Sequence, residues 1–249
     1  ASLQASGNHP IAFALVREAG RVECTGAGGA ALATGTCVFT ANPAFSDFLV
    51  SQGIKRPDRD EAYVLTMVGA TRSLVQSIAA AQYPRPSLDD LTALAALNVT
   101  PQYINELAGR GYKPKSLDEL VQFKALNITP AYIDAMSRSG FANMSAEKIV
   151  EFKAVGVTPE YVSAMARSGY SRLGAEDIVQ LKALDVTPEF IAGFERLGYR
   201  GLSADMLAQL KALDVTPEYV ASLQRAGISR PSAQKLVQLR AIGFEPNRR

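Results

Sequence analysis

The chain has 249 residues, 47% of them hydrophobic and 20% charged, and a formal net charge of +2. Those values sit near globular averages and exclude a disordered chain, while the small net charge argues against a dedicated polyanion binder. It contains no run of 18 or more apolar residues, so no segment reads as a membrane-spanning helix.

The first residue is Ala1, which suggests a mature product or a soluble piece of a longer protein. Residues 1–10 read as a flexible N-terminus and 11–41 as a β cap. Ile11 to Val16, Arg21 to Thr25 and Gly35 to Thr40 have strand character. They are separated by Ala19-Gly20 and by a loop beginning Gly26-Ala27-Gly28-Gly29. The expectation is a small hairpin or three-stranded sheet covering the first helix of the array that follows. Cys24 and Cys37 lie on the strands flanking the Gly-rich loop. Antiparallel pairing would bring them together as a disulfide, a staple suited to a segment with little core.

From residue 42 to 249 the chain is one array. Thr100-Pro101, Thr129-Pro130, Thr158-Pro159, Thr187-Pro188 and Thr216-Pro217 recur every 29 residues. The register extends back to Thr71 and Asn42-Pro43 and forward to Glu245-Pro246. A period of this length means stacked units, none of which buries its apolar face alone. Each unit reads as two short helices. In the unit from Ser145 to Tyr170, Ser145 caps the first helix, Ile149, Val150, Phe152 and Val155 form its apolar stripe, and Gly156 stops it. Thr158 caps the second helix with Pro159 in its first turn, Tyr161, Val162 and Met165 form its stripe, and Gly169 ends it. The unit from Asp58 is degenerate, with Arg72 for proline and Gln82 for glycine. After the last single helix, Asn247-Arg248-Arg249 trails away. The expected fold is mainly α, a right-handed α-solenoid of about seven two-helix repeats with the small N-terminal β cap.

Catalytic chemistry is hard to find. His9 is the one histidine, near the N-terminus and ahead of the expected strands, so a Ser-His or Cys-His pair has no base. The cysteines lack histidine partners for a metal, and Gly26 to Gly29 lacks the spacing of a phosphate loop. The carboxylates Asp118, Glu147, Glu176 and Asp205, and Glu160, Glu189 and Glu218, stand at helix starts, where the dipole favours them. No enzyme activity, cofactor or metal is expected.

Three further ladders share the period. Lys124, Lys153, Lys182, Lys211 and Arg240 fall inside the apolar arc of the first helices. Their expected role is structural, with the stem packed on the core and the head group reaching helix-end carbonyls or a carboxylate. Tyr103, Tyr132, Tyr161, Phe190 and Tyr219 share the apolar face of the second helices and read as core rather than as a base-stacking platform. Arg138, Arg167, Arg196 and Arg225 end the second helices and point away from the apolar stripe. They serve either as solvated partners of the helix dipole or as a row of guanidinium groups for an acidic or phosphate-bearing ligand. With Asp134, Ser163, Glu195 and Gln224 on the exposed side of the same helices, they form the candidate partner-binding set.

The units GVTPEYVSAMARSGYSRLGAEDIVQLKAL and DVTPEYVASLQRAGISRPSAQKLVQLRAI resemble the tandem VTPEYV-type helical repeats of proteobacterial envelope proteins. Such repeats are also similar to C-terminal extensions of some antirepressor-type metallopeptidase sensors. FALVREAGRVECTG followed by GTCVFTANPAF is similar to the strand–CEG–strand–FTFTPNPAF segment that precedes them, with Thr25 where that pattern has Glu. The resemblance implies a periplasmic or surface location in bacteria and a non-catalytic, scaffolding or sensor-accessory role. No His-Glu-x-x-His motif is present. The expected partner is another protein or peptide, acidic where it meets the arginine row, with self-association in a structural role as the alternative. VTPEYVASL is also similar to the LTPEQVVAI helix of transcription-activator-like effector repeats. The inter-helix turn here has no base-reading loop, and the low charge sits badly with phosphate neutralisation, so no nucleic acid is expected.

Overall fold

In the computed structural model of the chain, residues 9–29 and 33–246 are described. The segment 1–8, most of the expected flexible N-terminus, and the tail Asn247-Arg248-Arg249 lie outside them. The described residues form three strands, β1 (His9–Arg17), β2 (Gly20–Gly28) and β3 (Ala33–Ala41). Fourteen helices follow: α1 (Pro43–Ser51), α2 (Arg59–Val68), α3 (Arg72–Ala80), α4 (Leu88–Ala96), α5 (Pro101–Gly109), α6 (Leu117–Ala125) and α7 (Pro130–Arg138), then α8 (Ala146–Val155), α9 (Pro159–Arg167), α10 (Ala175–Ala183), α11 (Pro188–Arg196), α12 (Ala204–Ala212), α13 (Pro217–Arg225) and α14 (Ala233–Ala241). None is long and apolar enough to cross a membrane. The chain divides into two compact units, Ala1–Pro130 and Ala131–Arg249.

The sheet belongs to the first unit. Its order is β1-β2-β3 and both pairings are antiparallel. Two sequence expectations change here. The strands are longer than expected: His9 and Pro10 pair with Gly28 and Ala27, so β1 starts inside the segment read as flexible. Gly26, Ala27 and Gly28 are strand residues rather than loop. The glycines allow it, because Gly26 and Gly35 face each other and a Cβ on either would strike the other strand's backbone. Second, the sheet packs on α2 rather than mainly on the first helix of the array. A Cβ on Gly20 would lie 2.8 Å from Thr66 Oγ1, so the bare strand lets α2 close in. Phe39 meets Tyr63 edge-on at 5.4 Å, and the Arg17 guanidinium donates to the Thr66 and Met67 carbonyls. Cys24 and Cys37 are directly opposite in the ladder and disulfide-bonded.

Each helix is only nine or ten residues long, too short to persist alone in water, and its ends are defined by local chemistry. The Tyr103, Tyr161, Phe190 and Tyr219 amides each donate to the preceding cap threonine, Thr100, Thr158, Thr187 or Thr216, at 3.2 Å. First helices stop at Asn98, Asn127, Gly156, Asp185, Asp214 and Gly243, all with positive φ. Second helices stop at Gly111, Gly140, Gly169, Gly198 and Gly227, with φ between +79° and +102°. The residue after each of these glycines folds back: the Tyr170 amide reaches Met165 O and the Tyr199 amide reaches Phe194 O, both at 3.0 Å.

Stacking supplies what single helices lack. In the first unit α2, α4 and α6 pack in succession, and α3 packs on α5. In the second, α8, α10, α12 and α14 pack in succession, and α11 packs on α13. The apolar stripes meet between them: Phe123, Phe152, Phe194, Leu120, Met136, Met165, Leu181, Leu210 and Leu223 are at most 1% exposed. Burying each such side chain contributes roughly 1.5–3 kcal/mol, against a backbone ordering cost of about 1–2 kcal/mol per residue.

Candidate protein-docking face

The lysine ladder sits in a joint repeated from helix pair to helix pair. Within the first unit, Lys124 Nζ lies 4.6 Å from the centroid of the Tyr103 ring, and the Tyr103 hydroxyl donates to Ile128 O at 2.7 Å. Ile128 is the last residue before the next cap threonine, so ring and carbonyl belong to neighbouring helix pairs. Within the second unit the arrangement recurs. Lys153 lies over Tyr132, Lys182 over Tyr161, Lys211 over Phe190 and Arg240 over Tyr219, at 4.4 to 5.2 Å. The Tyr132, Tyr161 and Tyr219 hydroxyls donate to Val157, Val186 and Phe244 carbonyls at 2.8 Å. A cation over an aromatic face is worth about 0.5–2 kcal/mol depending on desolvation. Lys211 also meets Asp185 at 3.8 Å and Arg240 meets Asp214 at 3.0 Å, and Arg240 Nε donates to Leu213 O. All five cations are half-buried.

Burial shows in the phenols. It pushes Tyr132 up to about 12, and burial followed by the Asp185 charge pushes Tyr161 up to about 12. Tyr103 is raised too, by burial first and then by Tyr83. The aromatic ladder is thus committed on its face and at its hydroxyl to joining helix pairs. A second ladder does the same after the helix-end glycines, where the Tyr170 hydroxyl donates to Leu202 O at 2.8 Å and the Tyr199 hydroxyl to Pro231 O at 2.6 Å.

The arginine ladder differs. Arg138, Arg167, Arg196 and Arg225 occupy the last position of α7, α9, α11 and α13. The buried stripe of each helix lies on the other side, for example Tyr132, Ile133 and Met136 in α7, so all four guanidinium groups are exposed. Arg225 Nε reaches the Ala221 carbonyl of its own helix at 3.4 Å, and none of the four joins an ion pair among the described residues. The other candidates divide. Ser163 donates to Pro159 O at 2.8 Å and is committed to its own helix. Asp134 is partly buried and already engaged within the protein. Glu195 and Gln224 instead join Arg196 in one cleft of 520 Å³.

That cleft brings in residues the periodicity did not single out: Arg200, Ser229 and Arg230. Three guanidinium groups there face one carboxylate, Glu195, and none of these four charges is ion-paired among the described residues. Arg230 carries its side chain at φ +44°, in the left-handed region. Two equivalent positions in other repeats that share a positive φ hold Asn143 and Gly201, types that tolerate it. A long side chain there costs about 1–3 kcal/mol. Tyr199 fixes the turn through Pro231, and the Arg230 Nη2 lies beside Gly198, 3.9 Å from where a Cβ would stand. Two units earlier, the place between Gly140, Ala166 and Tyr170 is a dimple of 60 Å³ lined by Phe141, Val162 and Leu173. The sequence signal for the cleft was Arg200, where the other pairs carry Lys113, Ala142, Ser171 and Ser229, together with Arg230, whose register holds Pro114, Asn143, Arg172 and Gly201.

The sheet offers a different surface. Phe13, Val16 and Val38 are more than 60% exposed, and Ile11, Phe13 and the disulfide line a shallow apolar hollow of 270 Å³. Among the described residues no group of three or more His, Cys, Asp or Glu side chains stands where it could hold a metal.

Comparison with protein-family models, curated proteins and solved structures found no match to the chain. The functional reading therefore rests on these residues.

Proposed function

We propose that the chain is a non-enzymatic protein-binding module of the bacterial envelope, a right-handed α-solenoid of about seven two-helix repeats whose second-helix ends face a protein partner. One observation carries this reading. Of the cationic ladders in register, the lysine ladder is consumed in joints between helix pairs, while the arginine ladder is exposed and without ion pairs among the described residues. A guanidinium row with no internal role suits recognition of carboxylates, which its planar fork pairs bidentately. Commitment of the aromatic ladder to the joints argues against a base-stacking surface. The Cys24–Cys37 disulfide supports a periplasmic or otherwise extracytoplasmic location, since such bonds persist in oxidising compartments.

The test is recovery of partners from envelope extract by the wild-type chain and by its Arg138→Ala/Arg167→Ala/Arg196→Ala/Arg225→Ala form. A protein retained by the first and lost by the second, with unchanged circular dichroism, supports the reading. Equal recovery, or loss of the fold, removes it. A second reading, self-assembly, is favoured by Ile242, which is 78% exposed just after α14, with Phe244 beside it. It predicts concentration-dependent oligomers that an Ile242→Ser change dissolves.

A further inference from the structure

We infer that the cleft formed by Arg196, Arg200 and Arg230 is the anchoring site for an extended acidic segment of a partner protein, which it binds through carboxylates spaced three residues apart. The inference rests on the binding-module reading and assigns its site and ligand chemistry.

Three observations converge. The guanidinium groups come from two successive helix pairs, Arg196 and Arg200 from around the end of α11 and Arg230 from the turn after α13. They line one cleft whose one carboxylate among the described residues is Glu195, which joins no ion pair there. Arg230 is held there at a left-handed φ that a glycine would adopt freely. Folding does not require arginine at this left-handed turn: the register also holds Asn143 and Gly201 at positive φ, while Arg172, the other arginine there, has no positive φ. The backbone accepts Gly201 at an equivalent position, and the neighbouring turn is already pinned by Tyr199.

The shape and charge select the ligand. A volume of 520 Å³ is too large for a lone phosphate and suits several peptide residues. Glu195 on the wall repels a dense polyanion, yet can accept a peptide N–H between two carboxylates. Gln224 and Ser229 add neutral donors and acceptors for the same backbone. Packed helices such as α11 and α13 lie about 8–10 Å apart. An extended polyproline II segment has three residues per turn and rises about 3.1 Å per residue, so every third carboxylate lies on one face and meets the next helix pair.

The experiment is fluorescence anisotropy with a short labelled peptide carrying glutamate at every third position, read against its glutamine counterpart. Arg200→Ala/Arg230→Gly should weaken binding at least about tenfold, the effect of losing charge-assisted bonds. The same variant should melt no lower than Arg200→Ala alone, because the glycine relieves Arg230's backbone. Arg59→Ala, an exposed cation of the first unit with no place in the cleft or the arginine row, should leave affinity within about twofold. Unchanged affinity in the cleft variant, or equal binding of the glutamine peptide, overturns the inference. So does binding of inorganic triphosphate or phosphatidylglycerol vesicles in place of the peptide. A partner whose recovery from extract depends on Arg138 and Arg167 but not on Arg200 and Arg230 would remove the cleft and leave the binding-module reading standing. A partner indifferent to every arginine would remove that reading itself.

Discussion

At the scale of single residues, the joint between helix pairs contains its own control experiment. Three of the four aromatic positions bridged within the second unit have a phenol that donates to a carbonyl in the next pair, and the fourth is Phe190. Its ring sits under Lys211 like the others, so only the hydroxyl is missing. Phe190→Tyr places that hydroxyl toward Val215, the counterpart of Val157 and Val186. It should raise the unfolding free energy by about 0.5–1.5 kcal/mol, the usual net worth of one such bond. Thermal and urea unfolding would show it, and a lower midpoint would mean that the joints are not geometrically equivalent. The same phenols make a pH prediction. Tyr132 and Tyr161 are raised in the folded state to about 12, chiefly by burial, against about 10 when unfolded. The folded chain therefore holds protons that the unfolded chain releases. Their contribution to stability is complete below pH 10 and is lost as pH rises through 12. Phenolate absorbance should appear late and together with loss of helical signal; early, separate titration would show that the rings are open to water.

At the scale of elements, the helices were legible because every boundary is written locally. A serine or threonine cap, a first-turn proline in the second helices and an Asn, Asp or Gly stop set most segments through backbone chemistry, which is why Asn98 and Asp185 take the left-handed conformation where their sequence neighbours suggest it. The sheet was less legible. Gly26 looks like a loop residue on its own, and becomes a strand residue because it faces Gly35 across the ladder. That is a non-local fact. The lysine joint was partly legible: an apolar-arc position implies a packed stem, but the Tyr103 or Tyr132 ring that receives the charge lies in another helix. The cleft was the least legible part. Arg196, Glu195 and Gln224 follow from periodicity, whereas Arg200 breaks it and Arg230 shares its register with Arg172 among Pro114, Asn143 and Gly201. A reading that weights what repeats gives little weight to the departures, and here the departures distinguish one unit from the rest.

At the scale of the molecule, the period itself is testable. If each helix pair contacts only its neighbours, stability is a sum of intrinsic and interface terms and no single pair is indispensable. Removing residues 146–174 from the second unit joins Ser145 to Ala175, so the Ser145 cap leads directly into the helix Ala175–Ala183. Lys182 then falls where Lys153 stood over Tyr132, and Val186 offers the carbonyl that Val157 offered. Every joint is regenerated with a different set of side chains. This shortened chain should fold cooperatively with the same helical signal per residue. Its denaturant slope should fall by roughly one-eighth, in step with the surface no longer exposed on unfolding. Removing only residues 146–170 deletes nearly as much chain but shifts Lys182 and Val186 by four positions relative to Tyr132. Charge, ring and carbonyl then no longer meet, and that chain should unfold at lower denaturant with a broadened transition. Equal behaviour of the two deletions would show that packing is tolerant of register and that the ladders are incidental. Collapse of both would show that the pairs are not interchangeable and that specific contacts, rather than the period, hold the second unit together.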